Sequence, residues 1–134
     1  MRAALDRQGI KEADIKLGAA VFFNTGSGAL WMKNNDRLNA GEPGIGLQVA
    51  RWVVEKKLAL VGSDTWGTEV APNPDKKLAF AAHGELITRN GIFDHENLAF
   101  DEMLRDRRYP FVYIVSPTPI KGTTGSAGGP VAVV

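Results

Sequence analysis

Residues 45–57 most constrain what this chain can fold into, because a helix there is followed at once by a run that suits a buried strand. Ile45, Val49, Trp52 and Val53 recur at the spacing of one buried helical face, while Gln48, Arg51 and Glu55 take the other side. Lys56 and Lys57 suit the negative end of the helix dipole. Residues 58–61 are apolar and stop at Gly62-Ser63-Asp64. Upstream, Ala19-Ala20-Val21-Phe22-Phe23 is a second unbroken apolar run, as expected of a strand buried on both faces. Strand, helix, strand in that order is an α/β arrangement, in which ligands gather at the carboxyl ends of the strands. Asp64 is therefore a candidate site residue. Capping a turn through its own backbone is the plainer use of the same side chain.

Around this unit the signals are weaker. Residues 1–9 read as the tail of a short helix that Gly9 can close. Thr25-Gly26-Ser27-Gly28 is turn chemistry, without the Lys-Ser/Thr continuation of a phosphate-binding P-loop. Residues 29–44 read as irregular. Within them Trp31 and Met32 either tuck onto the core, line a pocket or meet another subunit. Residues 78–90 read as helical, 92–98 as a short extended segment and 100–106 as a short helix. Residues 109–115 are β-prone, Pro117 and Pro119 disfavour a ladder beyond them, and 131–134 form a last strand or an apolar tail.

Bulk properties narrow the function classes. The 134 residues fit a single domain spanning 1–134. A net charge of +1, from 16 basic and 15 acidic residues, gives no footprint for nucleic acid or an anionic membrane. No apolar run reaches the length of a bilayer span, and the first residues lack a signal-peptide core, so a cytoplasmic protein is the default expectation. Cysteine is absent, which excludes disulfides and thiolate metal sites; any metal must be held by imidazole and carboxylate.

Both histidines fall in one stretch, residues 82–98, together with Glu85, Asp94 and Glu96. Imidazole nitrogen and carboxylate oxygen are the usual ligands of zinc or manganese. His83 and Glu96 lie thirteen positions apart, too far for one helical face. The spacing suits one ligand on a short helix and another on the segment returning after a turn at Asn90-Gly91. A surface position or a hydrogen-bonded core position is the other reading of each histidine.

Several segments in order resemble the carboxyl-terminal half of the cyclase family, the metal-dependent hydrolases that include bacterial kynurenine formamidase and isatin hydrolase. They are Glu42-Pro43-Gly44-Ile45, Leu60-Val61-Gly62-Ser63-Asp64-Thr65, His83-Gly84-Glu85-Leu86-Ile87-Thr88-Arg89-Asn90-Gly91-Ile92, Glu96-Asn97-Leu98 and Ile120-Lys121-Gly122-Thr123-Thr124-Gly125-Ser126. The resemblance implies an α/β fold with a mixed β-sheet and flanking helices, of the swivelling β/β/α type and incomplete at its N-terminus. It implies His83 and Glu96 as metal ligands, homo-oligomers, a small-molecule amide substrate, and hydrolysis of an aryl or cyclic amide aided by divalent zinc or manganese.

The family's upstream His-x-Gly-Thr-His-x-Asp motif does not occur in this sequence, and His95 falls where relatives carry no ligand. One histidine and one carboxylate fall short of the three protein ligands of a catalytic zinc, so the sequence predicts weak metal binding and little activity for the chain alone. Two other readings stand beside the hydrolase: a metal-free binding or assembly module that keeps the fold, and an inactive truncated remnant.

Overall fold

Three parallel strands carry the architecture. In this computed structural model, which describes residues 1–134 throughout, β1 (Ala20–Phe23), β2 (Leu60–Ser63) and β3 (Phe93–His95) lie in the order β1-β2-β3. The register sets Ala20 opposite Leu60 and Leu60 opposite Phe93. Helix α1 (Arg2–Gln8) precedes β1 and is closed by Gly9 at φ 69. The central strand β2 is buried along its whole length. β1, expected to be buried on both faces, is half-buried throughout, because it stands at the edge of the sheet.

The periodic helix is α3 (Leu47–Glu55), two residues shorter at each end than the expected 45–57. Ile45, Ala50 and Val53 enter the core with Leu58, Val61, Ala82, Leu86 and Ile92, and Val49 and Trp52 pack against it half-buried. Residues 29–44 are more regular than the sequence indicates. A 3-10 turn covers Ser27–Leu30, and α2 (Asn35–Asn39) follows, started by Asn34, whose Oδ1 accepts the Arg37 N–H at 3.1 Å. Asn34, Asn35 and Asp36 favour loops in sequence, and such side chains are also among the best helix N-caps. Trp31 and Met32 do not tuck back; they are 64% and 81% exposed.

α4 (Ala81–His83) runs on into a π-helical turn over Gly84–Thr88, and Gly91 at φ 64 turns the chain into β3. Between β2 and α4 the chain passes through residues 64–71, which pair with residues 42–45. Glu42 N–H donates to Ala71 O at 2.7 Å, Ala71 N–H returns to Glu42 O at 3.0 Å, and Ile45 N–H donates to Thr68 O at 3.0 Å. This close approach explains the Pro43-Gly44 pair. A Cβ on Gly44 would collide with the backbone of Thr68 and Glu69.

Residues Met1–Phe100 form one compact unit and Asp101–Val134 a second. The second contains α5 (Asp101–Arg105), β4 (Val112–Ile114) and β5 (Val131–Val133). β4 and β5 pair antiparallel with Val112 opposite Val133. Parallel and antiparallel pairing with helices make this a mixed α/β fold. No helix is long and apolar enough to cross a membrane.

The contact at Gly44 yields a test. Gly44→Ala is expected to lower unfolding stability by about 1–3 kcal/mol, the cost of overpacking against fixed backbone. Gly84→Ala, at a helical φ of −58 with nothing within 4 Å of the added methyl, is expected to raise it by roughly 0.5–1 kcal/mol. Urea unfolding of the two variants beside the parent measures both signs.

Candidate metal centre

The end of α4, which precedes β3, and the strand β3 with the residue just after it bring His83, Asp94 and Glu96 together. One donor atom from each lies within 4.8 Å of the others, a spacing that can hold a metal ion. His83 Nε2 is 3.2 Å from Glu96 Oε1 and 3.8 Å from Asp94 Oδ2. The turn at Gly91 supplies the return that thirteen intervening residues call for. Asp94 and Glu96 are two apart on an extended segment, so their side chains leave the same side, while His95 between them leaves the other. Period-two spacing in Asp94-His95-Glu96 was the signal that could have added Asp94 to the pair.

The other imidazole nitrogen is fixed by a residue without a local sequence signal. His83 Nδ1 lies 3.2 Å from Glu69 Oε1, and Glu69 Oε2 accepts the Ala82 N–H at 2.6 Å. A carboxylate only accepts, so Nδ1 carries the proton and Nε2 faces Asp94 and Glu96. This is the carboxylate–histidine arrangement that orients a metal-binding imidazole. The Phe80 ring meets the imidazole edge-on, with centroids 5.4 Å apart.

Asp94 is held from below by hydroxyls. Thr68 Oγ1 donates to Asp94 Oδ1 at 2.7 Å, and Ser63 Oγ donates to Thr68 Oγ1 at 3.1 Å. Ser63 and Thr65 hydroxyls are 2.7 Å apart, which leaves Thr65 as the donor to Ser63. Asp94 Oδ2 is buried without a hydrogen-bond partner. A buried carboxylate oxygen left bare beside an imidazole and a second carboxylate fits a cation as its missing partner. Structure therefore raises the count of candidate ligands from the two expected to three, the number that a catalytic zinc takes from protein.

Backbone strain surrounds the cluster. Thr68, Phe80 and Asn97 all have positive φ, at 54, 49 and 55 degrees, and each adjoins a site element. A β-branched Thr in that region is costly and persists only where its surroundings fix it. Asn97 is pinned by its N–H to Thr65 O at 2.9 Å, and Leu98 by its N–H to Ser63 O at 2.9 Å, which fixes the approach of Glu96.

Asp64 has a different use. Its Oδ1 accepts the Thr25 N–H at 2.7 Å and the Thr25 hydroxyl at 2.9 Å, and its Oδ2 accepts the Gly28 N–H at 3.0 Å. The Gly/Ser loop after β1 thus cradles an anion, and that anion is Asp64 itself.

Fold and site together define an α/β protein with a His/Asp/Glu centre that could hold a metal. The cyclase family matches residues 1–70, and the chain belongs to that family. The match covers the strand-helix-strand unit; His83, Asp94 and Glu96 lie beyond it. The crystal structure of a novel cyclase is similar to this chain, with a TM-score of 0.80 and 28% sequence identity. The alignment covers 99% of this chain and 44% of that one, so this chain spans less than half the length of the solved cyclase. No curated protein matches the chain.

The charge states give a sign for pH dependence. The Glu96 hydrogen bond, with Asp94 and Glu69 nearby and despite burial, pushes His83 up to about 9. Burial pushes Asp94 up to about 6 and Glu42, nearby, up to about 7. All three hold protons more tightly folded than unfolded, so their contribution to stability is present at low pH and lost as pH rises. The loss runs from about 4 to 6 for Asp94, from about 4.5 to 7 for Glu42 and from about 6.5 to 9 for His83. Protons and a cation compete for these groups. In chelator, Tm is expected to fall between pH 5 and pH 8, and the Tm gain on adding zinc is expected to grow over the same range. Thermal scans with and without zinc measure both.

Proposed function

We propose that this chain carries metal-ligating residues of a cyclase-family hydrolase acting on the carbon–nitrogen bond of an aryl or cyclic amide. The observation that carries the reading is the bare, buried Asp94 Oδ2 opposite His83 Nε2 and Glu96. His83 Nε2, Asp94 Oδ2 and Glu96 Oε1 would hold the ion, and zinc and manganese both suit such a set. A divalent ion bound there would polarise the amide carbonyl and acidify water. Glu69 keeps the Nδ1 proton in place, so Nε2 would offer its lone pair to an ion that displaces its own proton. Thr68 fixes one Asp94 oxygen and leaves the other for the ion. The Phe80 ring and the buried carboxylates of Asp94 and Glu69 pack around the imidazole, which is left about a quarter exposed. Hydrolysis joins water oxygen to the carbonyl carbon, breaks the C–N bond and leaves a proton on the departing nitrogen.

Isothermal titration of the chelator-treated chain with zinc and manganese tests this reading. One ion per chain is expected, with affinity lowered more than about tenfold in His83→Ala and in Asp94→Asn, since even supporting residues of a metal site cost that much. Unchanged affinity in both variants would remove the metal reading. Hydrolysis of formanilide by the metal-loaded chain then tests the reaction class.

A second reading draws on the exposed Trp31 and Met32: these side chains assemble the chain with further copies of itself. Light scattering is expected to give a smaller mass for Trp31→Ser/Met32→Ser than for the parent, with metal affinity unchanged. Equal masses would remove the assembly reading and leave the metal centre untouched.

A further inference from the structure

Glu42 is the one acidic residue near this centre that the three candidate ligands and Glu69 leave without a task. It is 4% exposed, and both its backbone N–H and its carbonyl pair with Ala71, so its position is fixed. Its Oε2 accepts the Trp66 N–H at 2.7 Å. Its Oε1 is buried and has no hydrogen-bond partner. Leaving a buried carboxylate oxygen bare is costly unless something else supplies a proton donor.

Two observations say where that donor sits. A Cβ built on Gly67 would lie 2.6 Å from Glu42 Oε1 and 3.9 Å from His83 Cε1, so Gly67 keeps the carboxylate and the imidazole close with no side chain between them. Glu42 also lines an open cleft of about 550 Å3 with apolar Leu30 and Pro43 and the cation of Arg37; the three candidate ligands do not line it, so Glu42 is the residue that the cleft and the surroundings of His83 share. That volume suits a small aromatic amide. Glu42 is not among the residues whose donor atoms lie within 4.8 Å of one another, so it is not counted with the candidate ligands.

We propose that Glu42 is a specificity-determining residue of this site: its Oε1 accepts the hydrogen bond of the substrate's amide N–H, so that the site selects N–H amides and lactams over lactones and N-alkyl amides. This rests on the amide-hydrolase reading above. The same geometry dictates what a glutamine does in this position. The Trp66 N–H demands an acceptor, so the glutamine oxygen turns to Trp66 and its NH2 takes the place of Oε1. An acceptor for the substrate becomes a donor against it.

The experiment measures dissociation constants of the zinc-loaded chain for 2-oxindole and for its lactone isostere 2-coumaranone by NMR titration, in the parent, Glu42→Gln and Glu42→Ala. The parent is expected to bind the lactam at least about tenfold more tightly than the lactone, the strength of a hydrogen bond to a buried carboxylate. Glu42→Gln is expected to reverse the order, and Glu42→Ala to bind both alike. Zinc affinity and circular dichroism of Glu42→Gln are expected to match the parent. A lactam preference that persists in Glu42→Gln overturns the proposal and leaves the amide reading standing. Failure of the zinc-loaded parent to bind either probe overturns the proposal and the amide reading together, while the zinc titration of His83 and Asp94 variants still decides the metal centre. Loss of zinc binding in Glu42→Gln also overturns the proposal, because Glu42 would then be a ligand.

Discussion

Everything near His83 depends on burying negative charge around a single imidazole. Glu42, Glu69 and Asp94 are almost fully withdrawn from water, and Glu96 is only about a third exposed. One imidazolium cannot balance that many carboxylates, and uncompensated buried charge is among the most expensive features a fold can carry. The protein offsets part of the cost in a repeated way. Each of the three buried carboxylates has one oxygen anchored by a protein donor: Trp66 N–H for Glu42, Ala82 N–H for Glu69 and the Thr68 hydroxyl for Asp94. The second oxygen is free of such anchors. Glu69 turns it to His83, and Asp94 and Glu42 leave it bare. Two of the three buried carboxylates are thus anchored on one side and unanswered on the other, an arrangement that could hold something positive or proton-donating.

The fold supplies this arrangement through its parallel sheet. The loop leaving β2 carries Trp66, Thr68 and Glu69, and the segment leaving β3 carries Glu96, so both arrive from the carboxyl ends of neighbouring strands. Backbone pairing between residues 42–45 and 68–71 brings Glu42 to the same place, which only a glycine at 44 allows. The positive φ angles of Thr68, Phe80 and Asn97 belong to the same economy of position. A strained backbone persists where many contacts over-determine it, and these residues are held by the Ser63–Thr65–Thr68 hydroxyl chain, the His83 ring contact and the Asn97 N–H bond to Thr65. The anion cradle after β1 follows a different logic, since Asp64 closes it from within.

What the sequence shows of this depends on whether a signal is local. The strand-helix-strand unit was legible because periodicity in Ile45, Val49 and Val53 and the apolar runs beside it report burial directly. His83 and Glu96 were legible as a pair through their residue types, the turn at Gly91 and the resemblance to the cyclase family. Asp94 carried a signal in its period-two spacing from Glu96. Glu69 carried none, since its pairing with His83 is made by loops fourteen positions apart. The half-burial of β1 was illegible for another reason: five consecutive apolar residues look alike at a sheet edge and at its centre, and only pairing tells them apart. In residues 34–39 the misreading came from side chains with two uses, because Asn and Asp that end one helix start another.

The same electrostatics decide which occupant the centre favours. Without a cation, protons are the only available compensation, and Asp94, Glu42 and His83 all hold theirs more tightly than they would in water. That compensation fades through the neutral range, where carboxylates ordinarily are charged. On the reading proposed above, a divalent ion held by His83, Asp94 and Glu96 would supply the positive charge that the bare Asp94 oxygen lacks, in place of the protons on Asp94 and His83 Nε2. It would leave Glu42 Oε1 unanswered, because Glu42 sits outside the candidate ligating group. On the proposals above, the ion and the cleft's ligand would satisfy different oxygens. Those two oxygens, Asp94 Oδ2 and Glu42 Oε1, are the ones that the protein itself leaves without a partner.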